Sequence, residues 1–257
     1  MNSLDERIKG IRGILFDKDG TLIDFKSLWI PLAFELISKL TGETGLTQGQ
    51  KAVLLDRIGL REDGGLLPEG IYTAGTLEDV AQVLYGHMGE LGLGFTDFET
   101  FAGTLKSETN AYMAANRNGI RTIGNVGDTL AAFREKGMTL GVSTSDFKES
   151  TVLCLEETGL MKYFHYIGCP GNGKRPKPSG DILFDFCDRF GLEPEEIAVV
   201  GDTSTDIAFA SGNSAGLSVG VLSGAGDRGS LSAADVLLGD VNELAGLFGC
   251  DKATASI

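Results

Sequence analysis

Short apolar runs punctuate the chain, and the informative ones end on polar residues able to do chemistry. Ile14-Leu15-Phe16 leads into Asp17-Lys18-Asp19-Gly20-Thr21, Met138-Thr139-Leu140-Gly141-Val142 into Ser143-Thr144-Ser145-Asp146, and Ile197-Ala198-Val199-Val200 into Gly201-Asp202-Thr203-Ser204-Thr205-Asp206. Apolar runs of this length, closed by turn-forming residues, read as buried strands. In the first segment and from about residue 125 onward they alternate with helical patterns, which predicts an α/β core: a parallel sheet flanked by helices. Residues 25–121 differ. Helical spacing recurs over 28–40, 76–91 and 96–116, the last opening with a capping box of Thr96 and Glu99, and no strand alternation of comparable strength interrupts it. The expected organisation is a core from residues 1–24 and 122–257, with a helical domain, 25–121, inserted into it.

The first strand end sets two carboxylates two residues apart, which an extended backbone projects to one face. Crowded carboxylates repel. They are tolerated when a cation neutralises them, or when one is an ionised nucleophile and the other carries a proton. That pattern points to aspartate-based phosphoryl transfer with a divalent metal. Asp-x-Asp-Gly also opens calcium loops, but there oxygen ligands continue to a closing Glu, whereas this chain runs on through Thr21-Leu22-Ile23. The second strand end offers a hydroxyl and backbone N–H groups that can hold a phosphate oxygen, or simply cap a helix. In Arg175-Pro176-Lys177-Pro178-Ser179-Gly180-Asp181, prolines stiffen the approach to a helix and hold a cation able to balance carboxylates and phosphate. Asp202 at a strand tip, with Asp206 one turn later, suits Mg2+, a hard cation that prefers oxygen; Asp202 alone would also read as a cap. Each segment has a purely structural reading, but their occurrence together in one chain is hard to explain by capping.

Taken in order, these motifs resemble those of the haloacid dehalogenase-like (HAD) hydrolases, and within them the phosphoglycolate phosphatase-like subgroup. The matching residues are Asp17-Lys18-Asp19-Gly20-Thr21, Thr144 after its strand, Lys177-Pro178, and Gly201-Asp202 with Asp206. The resemblance implies a Rossmann-like α/β core with a helical C1-type cap at 25–121, a lid that excludes water and selects the leaving group. It implies that Asp17 attacks phosphorus and becomes an aspartyl phosphate, while Asp19 protonates the departing alkoxide and then deprotonates water. Mg2+ would be held by Asp17, the backbone carbonyl of Asp19 and Asp202, with Asp206 helping through water or by orienting Lys177. Thr144, Lys177 and the N–H groups of Lys18, Asp19 and Ser145 would bind the transferring oxygens.

The implied activity is a Mg2+-dependent phosphatase of small phosphorylated metabolites, phosphoglycolate among them. A sugar phosphomutase resembling beta-phosphoglucomutase is the enzymatic alternative, and a non-catalytic phosphate-binding or signalling protein is the other. Receiver-type signalling domains carry the acceptor Asp on a later strand than the acid pair, the reverse of the order here. True dehalogenases lack the second Asp, so Asp19 favours phosphate. The chain departs from the family at Gly180, where many relatives have proline, at Lys18, where many are apolar, and at Asp24-Phe25, which replaces a common Asp-Ser. A rival register, Arg175-Pro176-Lys177-Pro178, would make Arg175 the cation. Lys177 is preferred because Asp181-Ile182-Leu183 then follows in register.

A formal net charge of −14 over 257 residues argues against nucleic acid or an anionic membrane as partner, so an anionic substrate must be drawn by local charge. Cys154, Cys169, Cys187 and Cys250 show no paired spacing, which suits reduced thiols in a cytoplasm. Residues 1–9 are charged rather than signal-like, and no apolar run is long enough to cross a bilayer. A cytoplasmic monomer or homodimer is expected. Within 25–121, Arg57, Arg61, Arg117 and Arg121 are candidate anion readers but read more simply as solvated helix charges, and Trp29 and Phe34 suit core packing. Gly168 to Lys174 matches the first part of a nucleotide-binding loop, yet Arg175 stands where Ser or Thr should follow. His87 and His165 stand alone and are expected to be structural or exposed.

Overall fold

A computed structural model describes residues 3–42, 46–92 and 97–250. Six strands, β1 (Gly13–Phe16), β2 (Thr139–Ser143), β3 (Tyr166–Gly168), β4 (Ile197–Gly201), β5 (Leu217–Val221) and β6 (Val236–Leu238), form one parallel sheet in the order β3-β2-β1-β4-β5-β6. The helices are α1 (Leu4–Gly10), α2 (Phe25–Gly42), α3 (Gln48–Ile58), α4 (Ile71–Ala74), α5 (Leu77–Glu90), α6 (Phe98–Ala115), α7 (Val126–Glu135), α8 (Lys148–Glu157), α9 (Asp181–Phe190), α10 (Ser204–Gly212) and α11 (Leu244–Leu247). By contacts the chain divides into two compact units, Met1–Asp24 with Thr122–Ile257, and Phe25–Arg121.

In the sheet unit the chain builds outward from β1 through β2 to β3, then crosses back to place β4 on the other side of β1. Connections leaving β1 and β2 therefore diverge from those leaving β4, and a crevice opens at the strands' carboxyl ends, the usual ligand position in such sheets. The pleat sends Leu15 and Val199 to one face, where they pack with Ile182, Leu183 and Phe186 of α9 and with Phe209 and Ala210 of α10. Phe16 faces the other way, its ring 6.5 Å from that of Phe133 on α7. Helices thus cover both faces, which is why β1, β4 and β5 are buried along their whole length and β1 and β4 read as unbroken apolar runs. Phe186 owes its seat to two glycines on adjacent strands: a Cβ at Gly13 would lie 3.0 Å from its ring, and one at Gly141 2.9 Å.

The chain leaves this unit after Asp24 and returns at Thr122, and the two crossings lie side by side. Ile23 bridges Thr122, and the Ile123 N–H donates to the Leu22 carbonyl at 3.0 Å. In the inserted unit α2 packs on α3 and α6, and α5 on α3 and α6. Trp29 is buried there between Phe25 and Tyr72, whose hydroxyl donates to the Trp29 carbonyl at 2.6 Å, while Phe34 is half-buried and Arg57, Arg61, Arg117 and Arg121 are exposed. Two of its helices, α3 and α4, were not foreseen. α3 buries only Leu54, Leu55 and Ile58, too sparse a stripe to register as a pattern. Thr96 lies outside the described residues; α6 starts beneath Asp97, whose carboxylate accepts the Thr100 N–H at 2.8 Å.

Residues 168–174 form no phosphate loop. Gly171, Asn172 and Gly173 turn the chain with positive φ so that Gly171 bridges Lys174, and the next helix starts only at Asp181, too late for its N-terminus to close such a loop. Among the described residues no helix is long and apolar enough to cross a membrane. Because Phe186 is fully buried at the centre of the α9 face, Phe186→Ala is expected to cost about 3–5 kcal/mol of stability. Urea unfolding followed by far-UV circular dichroism checks this, since the single tryptophan, Trp29, reports on the inserted unit.

Candidate active site

β1 keeps its ladder for one residue past the strand, the Asp17 N–H donating to the Val200 carbonyl at 2.7 Å. It then turns sharply. The Lys18 carbonyl accepts from Leu22 and Ile23, both at 2.9 Å, and Gly20 N–H donates to Ile23 at 2.7 Å. Gly20 has φ +86°, and a Cβ there would overlap the Asp202 carboxylate, so this position requires glycine twice over. The expectation of two carboxylates on one face of an extended strand is therefore replaced by a different geometry. Asp17 continues the strand and is buried, whereas Asp19 sits in the turn, half-buried, with Oδ2 2.6 Å from the Lys18 ammonium.

Asp17, Asp202 and Asp206 form a buried cluster in which one carboxylate oxygen from each lies within 4.8 Å of the others. Lys177 enters it, its Nζ donating to Asp17 Oδ1 (2.6 Å), Asp206 Oδ1 (2.5 Å) and the Ser143 carbonyl (3.0 Å). Arg175 does not: its side chain is 76% exposed and forks onto Asp181 at 2.8 and 3.0 Å. Asp202 comes off β4 but is not the cap of α10. Thr203 holds that position, and Asp206 Oδ2 accepts both its N–H (3.1 Å) and its hydroxyl (2.7 Å). Asp206 is thus fixed from one side by the helix start and from the other by Lys177. Thr144, at the end of β2, is buried; its N–H donates to Gly168 and its Oγ1 accepts the Asp146 N–H, both at 3.1 Å, a bond that does not use its hydroxyl proton. Ser145 lies half-buried on the same loop.

Sequence reasoning missed the loop after β5. The Ala225 N–H donates to Asp202 Oδ2 at 2.8 Å, Gly226 N–H to the Asp202 carbonyl at 3.0 Å, and the Ser223 hydroxyl to the Gly20 carbonyl at 2.7 Å. A Cβ at Gly224 would overlap Asp202 Oδ2. The signal was the small-residue stretch Ser223-Gly224-Ala225-Gly226 directly behind a fifth apolar strand. Also missed were the side chain of Lys18 and its second partner, Asp146, at 2.8 Å. Neither histidine joins the site: His87 pairs with Glu90, and exposed His165 contacts Arg134 and the Leu140 N–H.

The electrostatics follow from three buried carboxylates facing one buried ammonium. Burial pushes the Asp17 carboxyl up to about 7, with Asp206 adding to the shift and Lys177 opposing it. Asp202 lies well above the usual range through burial and then through its neighbours Asp17 and Asp206. Lys177 is raised: burial alone would lower it, but Asp17 and Asp206 outweigh that. A cluster of three carboxylates against a single ammonium is short of positive charge and fits a hard divalent cation, and its lack of thiolate or imidazole argues against a soft one.

Residues 11–212 match the family described as haloacid dehalogenase-like hydrolases. The chain belongs to this family. The hydrolase is 28% identical over 253 residues to the phosphoglycolate phosphatase of Shigella dysenteriae, an alignment that spans 93% of this chain and 92% of that one. Among solved structures, a predicted phosphoglycolate phosphatase from Haemophilus somnus matches 93% of this chain and 98% of its own, with TM-score 0.71 and 22% identity. The beta-phosphoglucomutase of Clostridium difficile matches 91% and 93%, with TM-score 0.63 and 17% identity. At these identities the solved structures speak to the fold, which they share. Phosphatase chemistry fits both the family and the site.

The charge imbalance has a measurable consequence. Without divalent cation, folded Asp17 takes up its proton near pH 7, the unfolded carboxylate only near 3.8. Between those values the folded state binds more protons, so stability rises as pH falls through that window and is lowest above pH 7. His165, lowered by burial and by Arg134, opposes this but is exposed. Melting temperatures in chelator should therefore climb from pH 8 to pH 5; a flat or falling profile would contradict the raised carboxyls. Mg2+ is expected to raise the melting temperature of the native chain, and Asp202→Asn to erase that rise while stabilising the cation-free hydrolase at pH 8 by about 1 kcal/mol.

Proposed function

We propose that this hydrolase is a Mg2+-dependent phosphatase of small phosphorylated metabolites, with Asp17 as its nucleophile. The observation that carries this reading is the buried Asp17 carboxylate, 2.6 Å from the Lys177 ammonium, within a three-carboxylate cluster at the sheet's crevice. Asp17, the Asp19 carbonyl and Asp202 would hold the metal, with Asp206 steadying Lys177. Bound there, Mg2+ would offset the excess negative charge that otherwise keeps an anionic nucleophile and an anionic phosphate apart.

The remaining chemistry belongs to the chain. An Asp17 carboxylate oxygen bonds to phosphorus as the bond to the leaving oxygen breaks, and Asp19 gives its proton to that alkoxide. Asp19 then takes a proton from water as the water oxygen attacks the aspartyl phosphate, releasing inorganic phosphate and restoring Asp17. Dividing one displacement into two easier ones is the gain of covalent catalysis. Lys177, the Thr144 hydroxyl and the N–H groups of Lys18, Asp19 and Ser145 bind the transferring oxygens as charge spreads over them. The phosphoglycolate phosphatases among the relatives make phosphoglycolate the first ester to try. The inserted unit, entered directly after the Asp19 turn, serves as the cap that selects the leaving group. The four free cysteines support a reducing, cytoplasmic setting.

Phosphate release from a panel of small phosphomonoesters, phosphoglycolate included, tests this. The native chain is expected to turn over with Mg2+ and not with chelator, and Asp17→Asn to lose at least about a thousandfold in kcat, the scale on which a covalent nucleophile acts. A metal-loaded, folded native chain that releases no phosphate from any ester would refute the reading, and phosphate appearing instead on a second sugar hydroxyl would identify a mutase.

A further inference from the structure

Lys18 stands between the two aspartates of the first motif, yet its side chain points away from the Asp17 cluster and is fully buried, with 0% exposure. Burying an ammonium costs several kcal/mol unless partners satisfy it, and an apolar side chain would fill the same space without that cost. Its Nζ lies 2.6 Å from Asp19 Oδ2, 2.8 Å from Asp146 Oδ2 and 3.9 Å from Cys154 Sγ. Asp146 is itself a hub. It accepts the Phe147 N–H at 2.8 Å and the Ser150 hydroxyl at 2.5 Å, and its own N–H donates to Thr144 Oγ1. One buried ammonium therefore ties the turn carrying Asp19 to the loop carrying Thr144 and Ser145. The site's two lysines divide its acids: Lys177 takes Asp17 and Asp206, and Lys18 takes Asp19 and Asp146.

The geometry points to Lys18 as a positioning residue that holds the Asp19 carboxyl for proton delivery, and so suits the hydrolase to alkyl phosphomonoesters, whose poor leaving groups need that proton. This rests on the phosphatase reading. Held through Oδ2 by Lys18, Asp19 need not be ordered from a freely rotating side chain at each turnover. Misplacement of such a group by about 1 Å can cost on the order of a hundredfold. An aryl ester such as p-nitrophenyl phosphate departs as a stabilised phenolate and gains little from a general acid.

The test compares kcat on phosphoglycolate with kcat on p-nitrophenyl phosphate, in Mg2+, for the native chain, Lys18→Met and Asp146→Asn. Lys18→Met is expected to lose at least about a hundredfold on the alkyl ester, the lower end of what general acids supply, and less than about threefold on the aryl ester. Asp146→Asn should shift the ratio in the same direction by a smaller factor, and it decides the matter if Lys18→Met fails to fold by circular dichroism. A folded variant that loses both activities equally, leaving the ratio within about twofold of native, shows that Lys18 only supports the structure and overturns the inference. No turnover of either ester by the native chain would instead overturn the phosphatase reading, and this inference with it.

Discussion

Three buried carboxylates facing one buried ammonium, at the carboxyl edge of a parallel sheet, set the terms for the rest of the sheet unit. Like charges at this separation in a poorly solvated interior repel strongly, and the strain shows in the upward shifts of Asp17 and Asp202. A protein selected for stability alone would replace such a cluster with apolar side chains. Its retention makes sense for a site that receives positive charge from a cation and then presents a carboxylate to a phosphate. The surrounding structure meets the need to hold these groups in place while they are uncompensated.

The topology does this first. β1 lies between β2 and β4, so residues at the tips of all three strands are separated by little more than one or two strand spacings, and each tip adds a different group. Small residues do it second. Gly20 and Gly224 admit the Asp202 carboxylate between two loops where any side chain would collide, and the Ala225 N–H meets it there. The start of α10 does it third, through the double hydrogen bond from Thr203 that leaves Asp206 one oxygen for Lys177. Each device is short-range and inexpensive; together they replace the solvent that would otherwise stabilise the charges.

The two lysines only partly offset the acids around them, in a chain whose overall charge is already −14. Both lysines are held by pairs of acids, so neither is mobile, and both are raised because those acids outweigh the effect of burial. Exposed Arg175, two residues before Lys177, is spent on Asp181 at the start of α9 and adds nothing to the cluster.

Much of this was legible in the amino-acid sequence because it depends on local order. Apolar runs mark fully buried strands, polar residues behind them mark strand ends, and a change to helical spacing at residue 25 marks the inserted unit. Strand-end residues Asp17, Thr144 and Asp202 follow directly from that logic. Between Lys177 and Arg175 the sequence offered only a preference from register, since two cations two residues apart in a proline-rich loop differ in which one the packing turns inward. Nor could it reveal α3, whose apolar stripe is too thin, or the glycine loop after β5, whose residues matter by what they lack. The partnership of Lys18 with Asp146 was invisible for the same reason: the residues are far apart in the chain, and only the pairing of β1 with β2 brings them together. Sequence alone determined which groups are available and where along the strands they lie, because hydrophobic periodicity is a property of neighbours in the chain. Tertiary structure decided which of them meet and in what charge state they do so, because burial and distance between remote residues arise only once the sheet is assembled.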